Sequence, residues 1–213
     1  MQKLGILLIV IIAFIDGILV AKSFEQEAAT IDANTMVDIF EPVEIELAPE
    51  TEVPFTIQAP LGWYKPYTDF SEEAAAYMAV KWAKDEQITS PQSAAAAMLE
   101  IGENASTSEE ILALITGKHK YLKAFSIKNM VQSSLEQEIG EGHLLIVTVN
   151  GQNLENPYYG DPAPENHTLL IIGQTDEAFI THDPGTVRGK AYEYKKSTLM
   201  SALQGESIIV IEN

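Results

Sequence analysis

The run AAAYMAV, Ala74 to Val80, with Trp82 and Ala83 just beyond it, constrains this chain more than any other stretch. A helix over residues 71–85 would be apolar on nearly every face, and such a helix is stable only when neighbours cover it all round. It has to lie inside a core. The same helix opens with Ser71, Glu72 and Glu73. The two acids suit the positive end of a helix dipole. Serine is a preferred capping residue, but Asp69, with Glu72 three positions on, competes for that role and would leave Ser71 inside the first turn with its side chain free to point elsewhere.

Around that helix the chain divides into a helical half and a strand half. Pro91 after Ser90 starts a second helix to about Ile101, and STSEEILALITG supplies a third, capped by Ser or Thr and stopped by Gly117. Residues 118–140 read as an extended piece and then a helix ending at Gly140. From there HLLIVTVNG, HTLLIIGQ, AFITHD and the terminal SIIVIEN are β-branched runs bounded by Gly, Asn, Asp and Pro. KAYEYKKSTLMSALQG adds a short strand and a helix, and VPFTI, residues 53–57, is a further short strand candidate. Helices followed by strands indicate an α+β domain, with the helical first half packed on an antiparallel sheet from the second.

The first 52 residues have a different character. Lys3 precedes the apolar run Leu4 to Ile15, then Asp16-Gly17, then Ile18 to Ala21: an export segment, either a cleaved signal peptide or an N-terminal membrane anchor. The positive-inside bias places the chain after Lys22 beyond the membrane, in the cell envelope or outside it. Residues 22–52 read as an acidic extended linker, with nine acids between 23 and 52 and no Lys or Arg there. Residues 53–213 carry 21 acids against 11 bases, a net charge of −10, which disfavours nucleic acid and anionic lipid headgroups as partners. The chain has no cysteine, so disulfides, thiolate metal sites and thiol nucleophiles are all excluded.

Three positions carry candidate chemistry: Ser71 at the start of the buried helix, His167 at the start of a strand after a Pro-rich loop, and Asp183 at the end of the next strand. A helix N-terminus offers free N–H groups and partial positive charge to an anion. A neighbouring imidazole would take a nucleophile's proton, and a carboxylate would fix its tautomer. Adjacent antiparallel strands can bring His167 and Asp183 together. His182 is next to Asp183, but strand alternation sends the two side chains to opposite faces, which makes a His167, His182 and Asp183 metal site poor geometry. Without a Gly-rich phosphate loop, nothing calls for a nucleotide, and no cofactor is expected. Trp63, Tyr64, Tyr67, Tyr158 and Tyr159 sit in the loops expected to flank a cleft, as ligand contacts or as ordinary packing.

Taken together, VPFTIQAPLGWYKPYTDFSEEAAAYMA, NPYYGDPAPENHTLLIIG and THDPGTVRGKAYEYKKSTLMSAL, spread over Val53 to Asn213, resemble the C39-like peptidase family of papain-like fold. The resemblance implies a peptidase domain over residues 53–213. Ser71 would stand where the family has its catalytic cysteine, with His167 and Asp183 as the other catalytic positions and Gln58 in the oxyanion hole. A thiol, with an ordinary pKa of ~8.5, gives a standing thiolate beside imidazolium; a hydroxyl does not and must lose its proton during attack. Oxygen in a site shaped for sulfur sits too far away, and ~1 Å of misplacement can cost ~100-fold. The expectation is a domain that binds a peptide or protein ligand with little or no cleavage, the alternative being an active hydrolase using a Ser71-His167-Asp183 triad.

Overall fold

The computed structural model describes residues 46–47, 52–104, 108–119, 122–128, 131–205 and 208–212. The export segment 1–21 and nearly all of the acidic stretch 22–52 lie outside them. The helices are α1 (Ser71–Ala83), α2 (Pro91–Asn104), α3 (Ser108–Lys118), α4 (Gln132–Gly140) and α5 (Lys196–Ala202). The strands are β1 (Glu46–Leu47), β2 (Lys123–Ile127), β3 (Leu144–Val149), β4 (His167–Gln174), β5 (Ala178–His182), β6 (Tyr192–Lys195) and β7 (Ile208–Glu212). Among the described residues, no helix is long and apolar enough to cross a membrane.

The sheet runs in the order β2-β7-β3-β4-β5-β6, every pairing antiparallel. β1 pairs with the Gly173 and Gln174 end of β4. Glu46–Leu47 lies within the stretch whose composition reads as a spacer, so that stretch contributes a strand to the sheet.

The sheet has helices on both faces, which is why its central strands read as continuous apolar runs rather than alternating ones. On one face, Ala75, Ala76, Met78 and Ala79 of α1 pack with Leu144, Ile146, Leu170, Ile209 and Ile211, and α3 adds Ile111 and Ile115. On the other, Leu145, Val147, Leu169, Ile171 and Val210 meet Leu135 and Ile139 of α4 and Leu199 and Ala202 of α5. The two-residue alternation along β3 is therefore intact, with both sets inside. The remaining flank of α1 is covered by Ala94 and Met98 of α2 against Ala74 and Tyr77. Ala74, Ala75, Ala76, Met78 and Ala79 have no exposed surface. Alanine lets this helix approach β4 closely, while each fully buried Met or Ile in the core contributes roughly 1.5–3 kcal/mol.

The structure departs from expectation in detail. Val53 to Ile57 form no strand. Their polar groups are taken up by side chains instead: the Val53 carbonyl accepts from His182 Nε2 at 2.9 Å, and the Thr56 N–H donates to Met78 Sδ at 3.3 Å. Gly117 does not stop α3, which continues to Lys118, and α2 runs past Ile101 to Asn104.

Candidate active site

Ser71 is the first residue of α1. Its N-cap is Phe70, and no side chain caps the helix. Asp69 does not take that role as its spacing suggested; it closes a 3-10 turn over Tyr67–Asp69 and forms an exposed ion pair with Lys65 at 3.0 Å. Ser71 is nonetheless inside the first turn. Its Oγ accepts the Thr168 N–H at 3.2 Å, and it is almost fully buried. β5 pairs with β4 only as far as Leu170, so the Thr168 N–H takes its acceptor from α1 rather than from that strand. This bond ties the N-terminus of α1 to the residue after His167.

His167 begins β4 opposite Val149, and its Nε2 lies 2.8 Å from Asp183 Oδ1. Both side chains are buried, at 2% and 0% exposure. An ionised carboxylate can only accept, so the proton of that bond sits on Nε2 and Nδ1 is left as the basic nitrogen of the ring. Asp183 accepts four further bonds. Oδ1 takes the Gly185 N–H at 2.9 Å. Oδ2 takes Tyr194 OH at 2.6 Å, Tyr159 OH at 2.7 Å and Asn156 Nδ2 at 3.1 Å. Burial pushes the Asp183 carboxyl up, but the bond and charge of His167 and the two tyrosyl hydroxyls outweigh it, and its pKa lies below the usual carboxylate range. Burial, followed by the charge of Asp183, drives both phenols far above their ordinary range, so they act here as donors. The Tyr159 ring also stands edge-on to the His167 ring at 5.4 Å.

The turn after Asp183 is built around glycine. A Cβ at Gly189 would fall 1.8 Å from the Asp183 carbonyl oxygen, and one at Gly185 would fall 2.8 Å from His167 Cε1. The Asp183 N–H donates to Gly189 O at 2.9 Å, which closes the turn on itself. Gln58 bridges to this turn through its backbone, N–H to Pro184 O at 2.9 Å, while its side-chain Nε2 donates to Thr68 O at 2.6 Å. Among the described residues, Gln58 Oε1 is buried without a hydrogen-bond partner. The Gln58 side chain is thus held on the loop leading into α1.

His182 takes no part in this group. Its Nε2 donates to Val53 O and its Nδ1 accepts the Ala191 N–H at 3.1 Å, leaving no nitrogen for a metal. Among the described residues, Glu138, Glu141 and His143 at the end of α4 have ligand atoms within 4.8 Å of one another. A His143 to Glu138 bond at 2.8 Å and a Gln137 to Glu141 bond account for that cluster. Of the five loop aromatics, Tyr67 is buried and Tyr159 bonds Asp183, whereas Trp63, Tyr64 and Tyr158 are about half exposed. Neither Asn156 nor Tyr194 stands out in the sequence. The spacing in YEYK, which puts Tyr192 and Tyr194 on one face of β6, is the available signal for Tyr194.

No family model matches the chain, and no curated protein matches it. Several solved structures are similar to it, two of which follow. One is described as a C39-like peptidase from Bacillus anthracis, 13% identical with a TM-score of 0.57, covering 80% of this chain and 98% of that one. The other is the peptidase domain of Streptococcus ComA, a bifunctional ABC transporter of a quorum-sensing pathway, 16% identical with a TM-score of 0.45, covering 68% of this chain and 93% of that one. The fold is the papain-like α+β fold of C39-like peptidases.

Proposed function

We propose that this domain is a peptide-binding relative of C39-like peptidases in which Ser71 occupies the place of the catalytic cysteine, and that it cleaves peptide bonds poorly or not at all. The observation that carries this reading is the pairing of an intact acid–base couple with a hydroxyl: His167 is locked to a five-bonded Asp183, and the first residue of α1 is a serine whose Oγ accepts the N–H of Thr168, the residue after that histidine. Such a couple serves a group that arrives as an anion, as a thiolate does. A serine has to be deprotonated in the attack itself, from an oxygen that is held back by its bond to β4. His167 would relay the proton through Nδ1, Asp183 would hold the ring, and the first N–H groups of α1 with Gln58 would face a developing oxyanion. We place the domain outside the cytoplasmic membrane, tethered or released by residues 1–21.

Ser71→Cys tests the reading. The variant should label with a thiol-reactive electrophile faster than free cysteine at neutral pH and gain peptidase activity of at least ~100-fold over the native chain. Labelling no faster than free cysteine would sink it. The second reading is a serine hydrolase, favoured by the Nε2-protonated His167 that leaves Nδ1 basic. It requires activity in the native chain that Ser71→Ala removes.

A further inference from the structure

We propose that a cavity between α1, α2 and α3 is a binding site for a short alkyl carboxylate, its tail between the helices and its headgroup at Lys84 and Lys118. The cavity has a volume of about 340 Å³, within the range of ligand sites and too small for a two-chain lipid. Tyr77 and Val80 of α1, Ile101 of α2 and Ile115 of α3 give it an apolar wall.

Its rim has the opposite character to the rest of the domain. Beyond residue 52 acids outnumber bases 21 to 11, yet Lys81, Lys84 and Lys118 line this cavity with the acid Glu100, and Glu86 meets two of them from outside the lining. The side chains of Lys81 and Lys84 are only 20% and 27% exposed, so their stems lie along the helices and their ammonium groups are held near the opening. Lys81 and Lys118 are tightly engaged by Glu86 and Glu100, at 2.7 and 2.6 Å. Lys84 reaches Glu86 only at 4.0 Å and is the ammonium best able to take a further anion. His119 lines the same cavity, and burial first, then the charges of Lys84 and Lys118 against those of Glu86 and Glu100, hold its pKa below the ordinary imidazole range. An apolar slot ending in two lysines, in an otherwise acidic molecule, selects a ligand with one negative charge at the end of a chain. A cation would be repelled, and a neutral alcohol would leave the Lys84 ammonium with only its 4.0 Å approach to Glu86.

The site lies along the later turns of α1, from Tyr77 to Lys84, whereas Ser71 begins the helix, so the inference stands or falls independently of the peptidase reading. Calorimetric titration of the full chain with octanoate, octan-1-ol and octylammonium tests it. Octanoate should bind with a dissociation constant below ~1 mM, and the alcohol and amine about ten-fold more weakly or worse. Lys84→Gln, a change at a partly exposed head that leaves the core untouched, should weaken octanoate about ten-fold. Ala97→Trp, which fills the slot, should abolish binding. Absence of octanoate binding, equal binding of octan-1-ol, or octanoate affinity unchanged in both variants would overturn the proposal.

Discussion

Two histidines on neighbouring strands, His167 at the start of β4 and His182 at the end of β5, are equally buried, at 2% and 1% exposure. Their surroundings differ in one respect. His167 has a carboxylate on Nε2, while His182 has a backbone carbonyl on one nitrogen and a backbone N–H on the other. The second arrangement uses both nitrogens and admits only the neutral ring, because a protonated Nδ1 could not accept from Ala191. Burial foremost lowers the pKa of His182, and the bond to Val53 only partly offsets it. His182 is therefore a structural pin that fastens the segment before α1 to β5. His167 has one nitrogen fixed by an anion and the other available for proton exchange. Burial alone does not distinguish a reactive imidazole from an inert one; the partner of each nitrogen does.

The largest effect should come from removing the anion. Asp183→Ala leaves His167, Tyr159, Tyr194, Asn156 and the Gly185 N–H without their shared acceptor, and should destabilise the fold by about 3–5 kcal/mol in urea titration. A loss below about 1 kcal/mol would mean the five bonds are replaced by water and that Asp183 is not a structural hub. The lowered pKa of Asp183 adds a pH signature. Its contribution is complete above the unfolded value of 3.8 and is lost as pH falls through the lower folded value.

His182→Gln sharpens the other side. Glutamine can still donate to Val53 O but leaves the Ala191 N–H unpaired, at a cost of about 1–3 kcal/mol at neutral pH. It should also remove one component of the pH dependence. With a folded pKa below the unfolded 6.5, the unfolded chain takes up a proton that the folded one refuses, so native stability is full above 6.5 and falls as pH drops toward the folded value. The slope reaches at most about 1.4 kcal/mol per pH unit. Unfolding free energies between pH 7 and 5 should lose this component in the variant. The same slope in both proteins would place the titrating group elsewhere.

The elements were more legible in the sequence than the network. Continuous apolar runs in β3 and β4, and the alanine-rich α1, announce burial on both sides because nothing else could cover them. The bonds that organise the site run between distant segments through polar atoms, and hydrophobic periodicity carries no record of those. Asn156 gave no sign that it would reach Asp183 across 27 positions. Asp69 had the spacing of a cap, but the 3-10 turn before α1 carries it outward to Lys65. VPFTI has strand composition, yet its polar partners are His182 and Met78 rather than another strand. Local propensity cannot see an acceptor supplied from elsewhere in the fold.

The smallest effect is the one that isolates the His182 component. Glu73, in the first turn of α1, is half-buried under α2, where a Cβ at Gly102 would come within 3.0 Å of its Oε1. Burial raises its pKa from 4.5 to about 7; its own N–H at the helix start opposes the shift, and the charges of Glu72 and Asp69 add to it. For an acid with a raised folded pKa, the folded state keeps a proton that the unfolded chain has released, so stability falls as pH rises from 4.5 to about 7. That is opposite in sign to His182, and the two windows overlap just below 6.5, where the native protein should show a flattened profile. Glu73→Gln removes the opposing slope. It should raise stability at pH 8 by about 1 kcal/mol, discounted for solvent screening, and should steepen the loss between pH 6.5 and 5 by exposing the uptake of protons at unfolded His182. In Glu73→Gln combined with His182→Gln the profile over that interval should be flat, and a steep residual would assign the acid sensitivity to a group other than these two.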